Sequence, residues 1–272
     1  MRYCENIRMP DIFIPKFFEH AVTGSDEKVA IPVKVVEEGE IFATVPEADK
    51  PEGEGVKPLK SAPYQGGSLI RNADLDFFGC LGANAQYTGA YRLLSAAHVL
   101  TKFDRNYIGK QIQVLDGSQW VDIGATVTDQ VDVVLYDSST VPHPVRAKQD
   151  LAWANISPDR GSPAIIDIGT PGGIREIKDD EKVKFYAGRT GVLETDVPVD
   201  DIYAEIKLKV ITPSGATKYA YFEDVCRIEQ PIPVGNGDSG TAIVAEDDNA
   251  LLGILFSVNS MFFTGYFCKL QL

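Results

Sequence analysis

Gly235-Asn236-Gly237-Asp238-Ser239-Gly240-Thr241 runs directly into the apolar stretch Ala242-Ile243-Val244-Ala245. A serine set between glycines just ahead of a buried strand can project its hydroxyl into a cleft while neighbouring backbone N–H groups converge on one point. That is the arrangement an acyl-transfer nucleophile needs. Gly235, Gly237 and Gly240 permit the sharp bends involved. A second stretch, Leu94-Ser95-Ala96-Ala97-His98-Val99-Leu100, places one of only three histidines after small residues at the end of an apolar strand. Taken singly, the first also reads as an ordinary turn before a strand and the second as a half-buried packing histidine. Their joint occurrence points to a serine hydrolase.

Around these stretches, from Gln65 onward, short β-branched or aromatic runs alternate with Gly, Pro, Asp and Asn, with no long helical periodicity. The predicted strands are 77–83, 91–95, 111–115, 123–126, 131–136, 151–156, 182–186, 204–210, 225–229, 241–245 and 251–257. This spacing favours an antiparallel barrel or sandwich over a βαβ fold. Acyl transfer by serine also needs a base, a carboxylate to orient it, and donors for the oxyanion. Ser239 is the candidate nucleophile, His98 the base, and the backbone N–H groups of Gly237 and Ser239 the oxyanion donors. Two aspartates, Asp132 and Asp150, each open an apolar strand-like run and either could supply the carboxylate.

With these residues in place, the chain resembles the trypsin/chymotrypsin-like serine protease family, in its bacterial form without a signal peptide. The likeness covers roughly residues 64 to 272. Asp150-Leu151-Ala152 is similar to the family's aspartate motif, and its separations, 150 − 98 = 52 and 239 − 150 = 89, follow the family's usual order. The resemblance therefore implies a His98–Asp150–Ser239 triad, with Asp132 as the alternative carboxylate. It implies two six-stranded antiparallel β-barrels, barrel 1 about 64–160 and barrel 2 about 180–272. Ala187-Gly188-Arg189-Thr190-Gly191 resembles a stretch whose arginine pairs with the aspartate before the nucleophile, which implies an Arg189–Asp238 ion pair and competence without N-terminal trimming. Pro233 and Val234 stand where an acid would select Lys or Arg, and Phe256, Ser257 and Val258 occupy the expected pocket wall. Val234, Phe256, Ser257 and Val258 are thus the candidate substrate pocket, suited to a small or apolar residue.

Composition bounds the alternatives. A chain of 272 residues with 44% hydrophobic residues can hold a sizeable core. Its net charge of −13 argues against nucleic-acid or anionic-membrane partners. Cys4, Cys80, Cys226 and Cys268 are widely spaced and lack nearby histidines, so neither metal nor cofactor is indicated. The first residues lack a secretory pattern and no run approaches a membrane span, which makes a reducing cytoplasmic setting the expectation. Residues 37–54 hold seven acids against one lysine and read as a solvated linker. The predicted organisation is an N-terminal extension and acidic linker over 1–60, then a protease domain over 61–272. The expected partner is a protein or peptide substrate. The competing class is a catalytically silent protease-like module that binds peptides or a partner protein. An α/β-hydrolase esterase is disfavoured, because position 241 is Thr, the next residues read as strand, and no histidine follows Ser239.

Overall fold

The computed structural model describes residues 17–21, 28–32, 41–43, 63–87, 89–228, 232–259 and 264–270. The chain divides into two compact units, 1–38 and 39–272. The division thus falls at Glu38–Gly39, whereas the sequence marks a change of composition near Ser61. In the first unit β1 (Phe17–Ala21) and β2 (Lys28–Pro32) pair antiparallel.

The second unit is almost wholly β. One sheet, in spatial order, consists of β6 (Gly79–Cys80), β5 (Leu69–Asn72), β9 (Gln111–Asp116), β10 (Gln119–Gln130), β11 (Ala152–Asn155), β8 (Ala90–Ser95) and β7 (Ala83–Tyr87). The other consists of β14 (Val192–Pro198), β13 (Lys182–Ala187), β17 (Ala242–Ala245), β18 (Leu251–Asn259), β19 (Thr264–Lys269), β16 (Thr217–Ile228), β15 (Asp201–Ile211) and β3 (Ile41–Ala43). Pairing of β3 with β18 as well as β15 closes β18, β19, β16, β15 and β3 into a ring, from which β17, β13 and β14 extend. A short parallel pair, β4 (Tyr64–Gly66) and β12 (Gly161–Ile165), completes the β structure. The architecture is the all-β one expected, with two sheets of seven and eight strands that are antiparallel except where β3 runs parallel to β15.

The side-chain patterns account for these elements. Along β15, Ala204, Ile206, Leu208 and Val210 are buried while Tyr203, Glu205 and Lys207 are exposed, the period of two that a half-buried strand requires. By contrast β17 and β18 are buried at every position, β17 as a continuous apolar run and β18 with Ser257 and Asn259 as its polar members. The largest core cluster draws on both sheets, including Leu93 and Ile112 from the first and Leu208, Phe222 and Ile254 from the second. A second cluster, with Phe185, Ile243, Leu255 and Phe267, lies within the second sheet.

Three expectations need correction. Residues 131–135 form no strand, because both edges of β10 are already taken by β9 and β11; Tyr136 and Ala147 make only isolated bridges to β16. The run 77–83 is split, since Leu81 turns to bond Gly67 and Ser68 while Gly82 bonds Leu94. His98 follows β8 on a short helix, α1 (Ala97–Thr101), rather than ending the strand.

Candidate active site

The helix α1 is too short to hold itself in place. The buried Asn72 side chain donates to the Leu100 carbonyl at 2.7 Å, and Thr101 Oγ1 donates to the Ala97 carbonyl at 2.8 Å. Thus pinned, α1 presents His98 to the start of β11. Asp150 takes two hydrogen bonds from this one residue: its Oδ1 accepts the His98 main-chain N–H at 3.0 Å, and its Oδ2 lies 2.6 Å from Nδ1. With Asp150 accepting at both oxygens, Nδ1 carries the hydrogen and the free lone pair sits on Nε2. That atom is buried and meets no hydrogen-bond partner among the described residues. A buried, orphaned imidazole nitrogen is costly unless a reacting group is to fill the place.

Asp132, the alternative carboxylate, is far more exposed and pairs with Arg105 at 2.8 Å, which lowers its pKa. It bonds His98 at no point among the described contacts.

The serine arrives from the second sheet. Gly237 and Gly240 adopt φ of +99° and +96°, a region that penalises any side chain. At Gly240 a Cβ would also stand 2.1 Å from the Cys80 carbonyl oxygen. Gly240 N–H donates to Leu255 and the Cys80 N–H donates to the Ser239 carbonyl at 2.7 Å, so the turn is stitched to both sheets. Val99 Cγ2 and the Ser239 carbonyl oxygen each lie 2.5 Å from where a Cβ on Gly79 would be. The neighbour of His98 and the main chain of Ser239 therefore flank one glycine, so chain segments 141 positions apart (239 − 98 = 141) meet at the same seam. Ser239 Oγ donates to the Phe256 carbonyl at 3.3 Å, a long and therefore weak bond. A line of rings, His98 to Phe103 at 6.0 Å, Phe103 to Phe222 at 6.5 Å and Phe222 to Phe256 at 5.0 Å, walls the seam.

Asp238 is held differently from the sequence expectation. No guanidinium–carboxylate ion pair joins it to Arg189 among the described residues; its Oδ1 accepts the main-chain N–H groups of Arg189 at 2.8 Å and Thr190 at 3.4 Å, and its Oδ2 that of Gly235 at 2.9 Å. The Arg189 side chain instead passes beneath the turn, its Cδ 2.9 Å from where a Cβ on Gly237 would be, and acts on the carboxylate only as a nearby positive charge. Burial dominates and pushes Asp238 up to about 6, with the main-chain donors and Arg189 opposing it.

The expected pocket residues do not share one face. Phe256 packs in the core cluster common to both sheets, whereas Val234 and Val258 belong to the second cluster; all four, with Ser257, are buried. Regular alternation would put Phe256 and Val258 on one face; the register shift between Leu255 and Ser257 in the pairing with β19 accounts for their separation. Among the described residues no three His, Cys, Asp or Glu side chains converge as metal ligands. Cys80, beside the serine turn, is a buried free thiol whose pKa burial raises to about 12, which leaves it unreactive as a nucleophile. The sequence reading missed β3, whose Ile41-Phe42-Ala43 triplet inside the acidic stretch was the available signal.

No family model matches the chain, and no curated protein does. Solved structures do resemble it. Nocardiopsis protease aligns at 16% identity and a TM-score of 0.48, covering 76% of this chain and 93% of that one. A glutamic-acid-specific serine protease aligns at 16% identity and 0.45, with the same coverage. A catalytically inactive tobacco etch virus protease complexed with substrate aligns at 10% identity and 0.35, covering 75% and 77%. At these identities the likeness concerns the fold alone.

Proposed function

We propose that the protein is a serine endopeptidase, with Ser239 as nucleophile, His98 as general base and then acid, and Asp150 as the group that orients His98. The observation that carries this reading is the buried imidazole held at Nδ1 by Asp150 with Nε2 unsatisfied, at the seam where Ser239 arrives. For reaction the Ser239 hydroxyl turns from the Phe256 carbonyl to Nε2. It then attacks a peptide carbonyl carbon while its proton passes to His98, and Asp150 balances the imidazolium. The backbone N–H groups of Gly237 and Ser239 are the donors assigned to the oxyanion, in a turn whose shape Asp238 maintains. His98 returns the proton to the leaving amine, and water releases the acyl group by the same steps in reverse. The substrate class is protein or peptide, and a reducing cytoplasmic setting is consistent with Cys80, Cys226 and Cys268 as free thiols.

Cut-site mapping on a denatured-protein library tests the reading. Cleavage should be lost in both Ser239→Ala and His98→Ala while circular dichroism stays unchanged. Equal cleavage by either variant overturns the mechanism, and a folded wild type that never cleaves would leave the silent binding module standing.

A further inference from the structure

One edge of β18 carries three things in succession. β17 occupies its first part, with Val244 opposite Leu251, Ile243 opposite Gly253 and Ala242 opposite Ile254. Gly240 and Thr241 then bond Leu255, and the Ser239 hydroxyl reaches Phe256. Beyond the serine, β3 takes up the same edge: Ala43 stands opposite Ser257, Phe42 opposite Val258 and Ile41 opposite Asn259. The other edge is already filled, since β19 pairs with Ser257, Val258 and Asn259 there. β3 and β17 both run antiparallel to β18, so β3 advances along the edge with Ala43 leading toward Ser239. On its far side β3 lies against β15, where Ile41 meets Leu208 and Phe42 meets Lys209.

A slot bounded by two strand edges recognises an extended polypeptide through its main chain. The last residue of the strand within it, Ala43, stands opposite Ser257, next in sequence to the Phe256 whose carbonyl takes the Ser239 hydroxyl, and Ser239 and His98 are 0% and 1% exposed. No external carbonyl can touch the hydroxyl while this arrangement persists. We propose that Ile41–Ala43 is the chain's own substrate strand, bound with the Ala43 carbonyl next to Ser239, and that cleavage after Ala43 opens the site. This rests on the endopeptidase reading, replaces the expectation of competence without N-terminal trimming, and adds a substrate class: an extended segment with a small residue at the scissile carbonyl, preceded by large apolar ones. Ser239 Oγ bonds to the Ala43 carbonyl carbon as its proton passes to His98. The Ala43–Thr44 C–N bond breaks and the proton leaves on the Thr44 amine. Water then frees Ala43 as a carboxylate and restores the hydroxyl.

The test follows full-length wild type, Ser239→Ala, Phe42→Pro and Ala43→Glu by intact mass, N-terminal sequencing, fluorophosphonate labelling and an Ile-Phe-Ala amide reporter. Wild type should yield a chain beginning Thr44-Val45-Pro46, while Ser239→Ala stays whole. Phe42→Pro, which removes a strand donor and unseats β3, should stay uncut after Ala43 yet label and turn over the reporter at least about tenfold faster than uncut wild type, as expected when a site is blocked in most molecules. Ala43→Glu keeps the pairing backbone and should remain uncut. An intact Ala43–Thr44 bond in a wild type that labels and hydrolyses the reporter as fast as Phe42→Pro overturns the inference and spares the protease reading. Absence of labelling and hydrolysis in every form, with the fold intact, overturns both.

Discussion

Asp150 and Asp132 look alike as residue types, and their surroundings separate them. Asp150 is buried with both oxygens on His98, and Asp132 lies at the surface on Arg105. Asp150→Asn should therefore lower kcat/KM by about 10⁴-fold, since the imidazole loses its fixed tautomer, and Asp132→Asn should leave it within about twofold. Hydrolysis of the Ile-Phe-Ala amide reporter checks both, and a reversed order would reassign the carboxylate. Asp238 makes a pH prediction. Its folded pKa, about 6, stands above the ordinary 3.8 because burial disfavours the charge. The folded state therefore holds a proton that the unfolded chain has released, so this site's contribution is largest below the unfolded value and is lost as pH rises through about 6. The stability advantage of wild type over Asp238→Asn should narrow between about pH 4 and about pH 8 in urea titrations. A widening gap would place the carboxylate below its ordinary range.

Turns decide the geometry at the level of elements. Gly240→Ala would drive a methyl into the Cys80 carbonyl at a φ of +96°, and should cost at least about 2 kcal/mol in denaturant unfolding. Another junction depends on charge. Arg175, in the approach to β13, bonds Glu181 at 2.7 and 3.0 Å and Asp248 at 2.7 Å, tying that loop to the turn between β17 and β18. Glu181 is buried, so Arg175→Ala strands a carboxylate and should destabilise the fold by roughly 3 kcal/mol, with partial recovery in Arg175→Lys. Equal stability of all three chains would show the cluster to be ornamental. None of this clustering was legible beforehand, because Arg175 and Asp248 lie 73 positions apart and nothing in their local patterns joins them.

For the second unit as a whole, the core shared by both sheets predicts one cooperative transition. Phe222 of β16 touches Phe103 beside α1 and Phe256 of β18. Phe222→Ala should cost about 3–5 kcal/mol. The loss should register equally in far-UV circular dichroism and in the fluorescence of Trp120 and Trp153, both on the first sheet. Separate midpoints would mean that the sheets unfold independently. By itself the amino-acid order determined the strand-rich class and the glycine-bracketed turn at Ser239, because period-two burial and glycine dihedrals are properties of neighbouring residues. Local chemistry left Asp150 and Asp132 open and only a family likeness favoured Asp150, which the structure sets on His98; tertiary structure alone decided that main-chain donors rather than a guanidinium hold Asp238 and that an acidic stretch contributes the strand Ile41–Ala43. Each of these depends on which free edge or buried donor lies across the fold, and hydrogen bonds of that kind join residues that local chemistry cannot pair in advance.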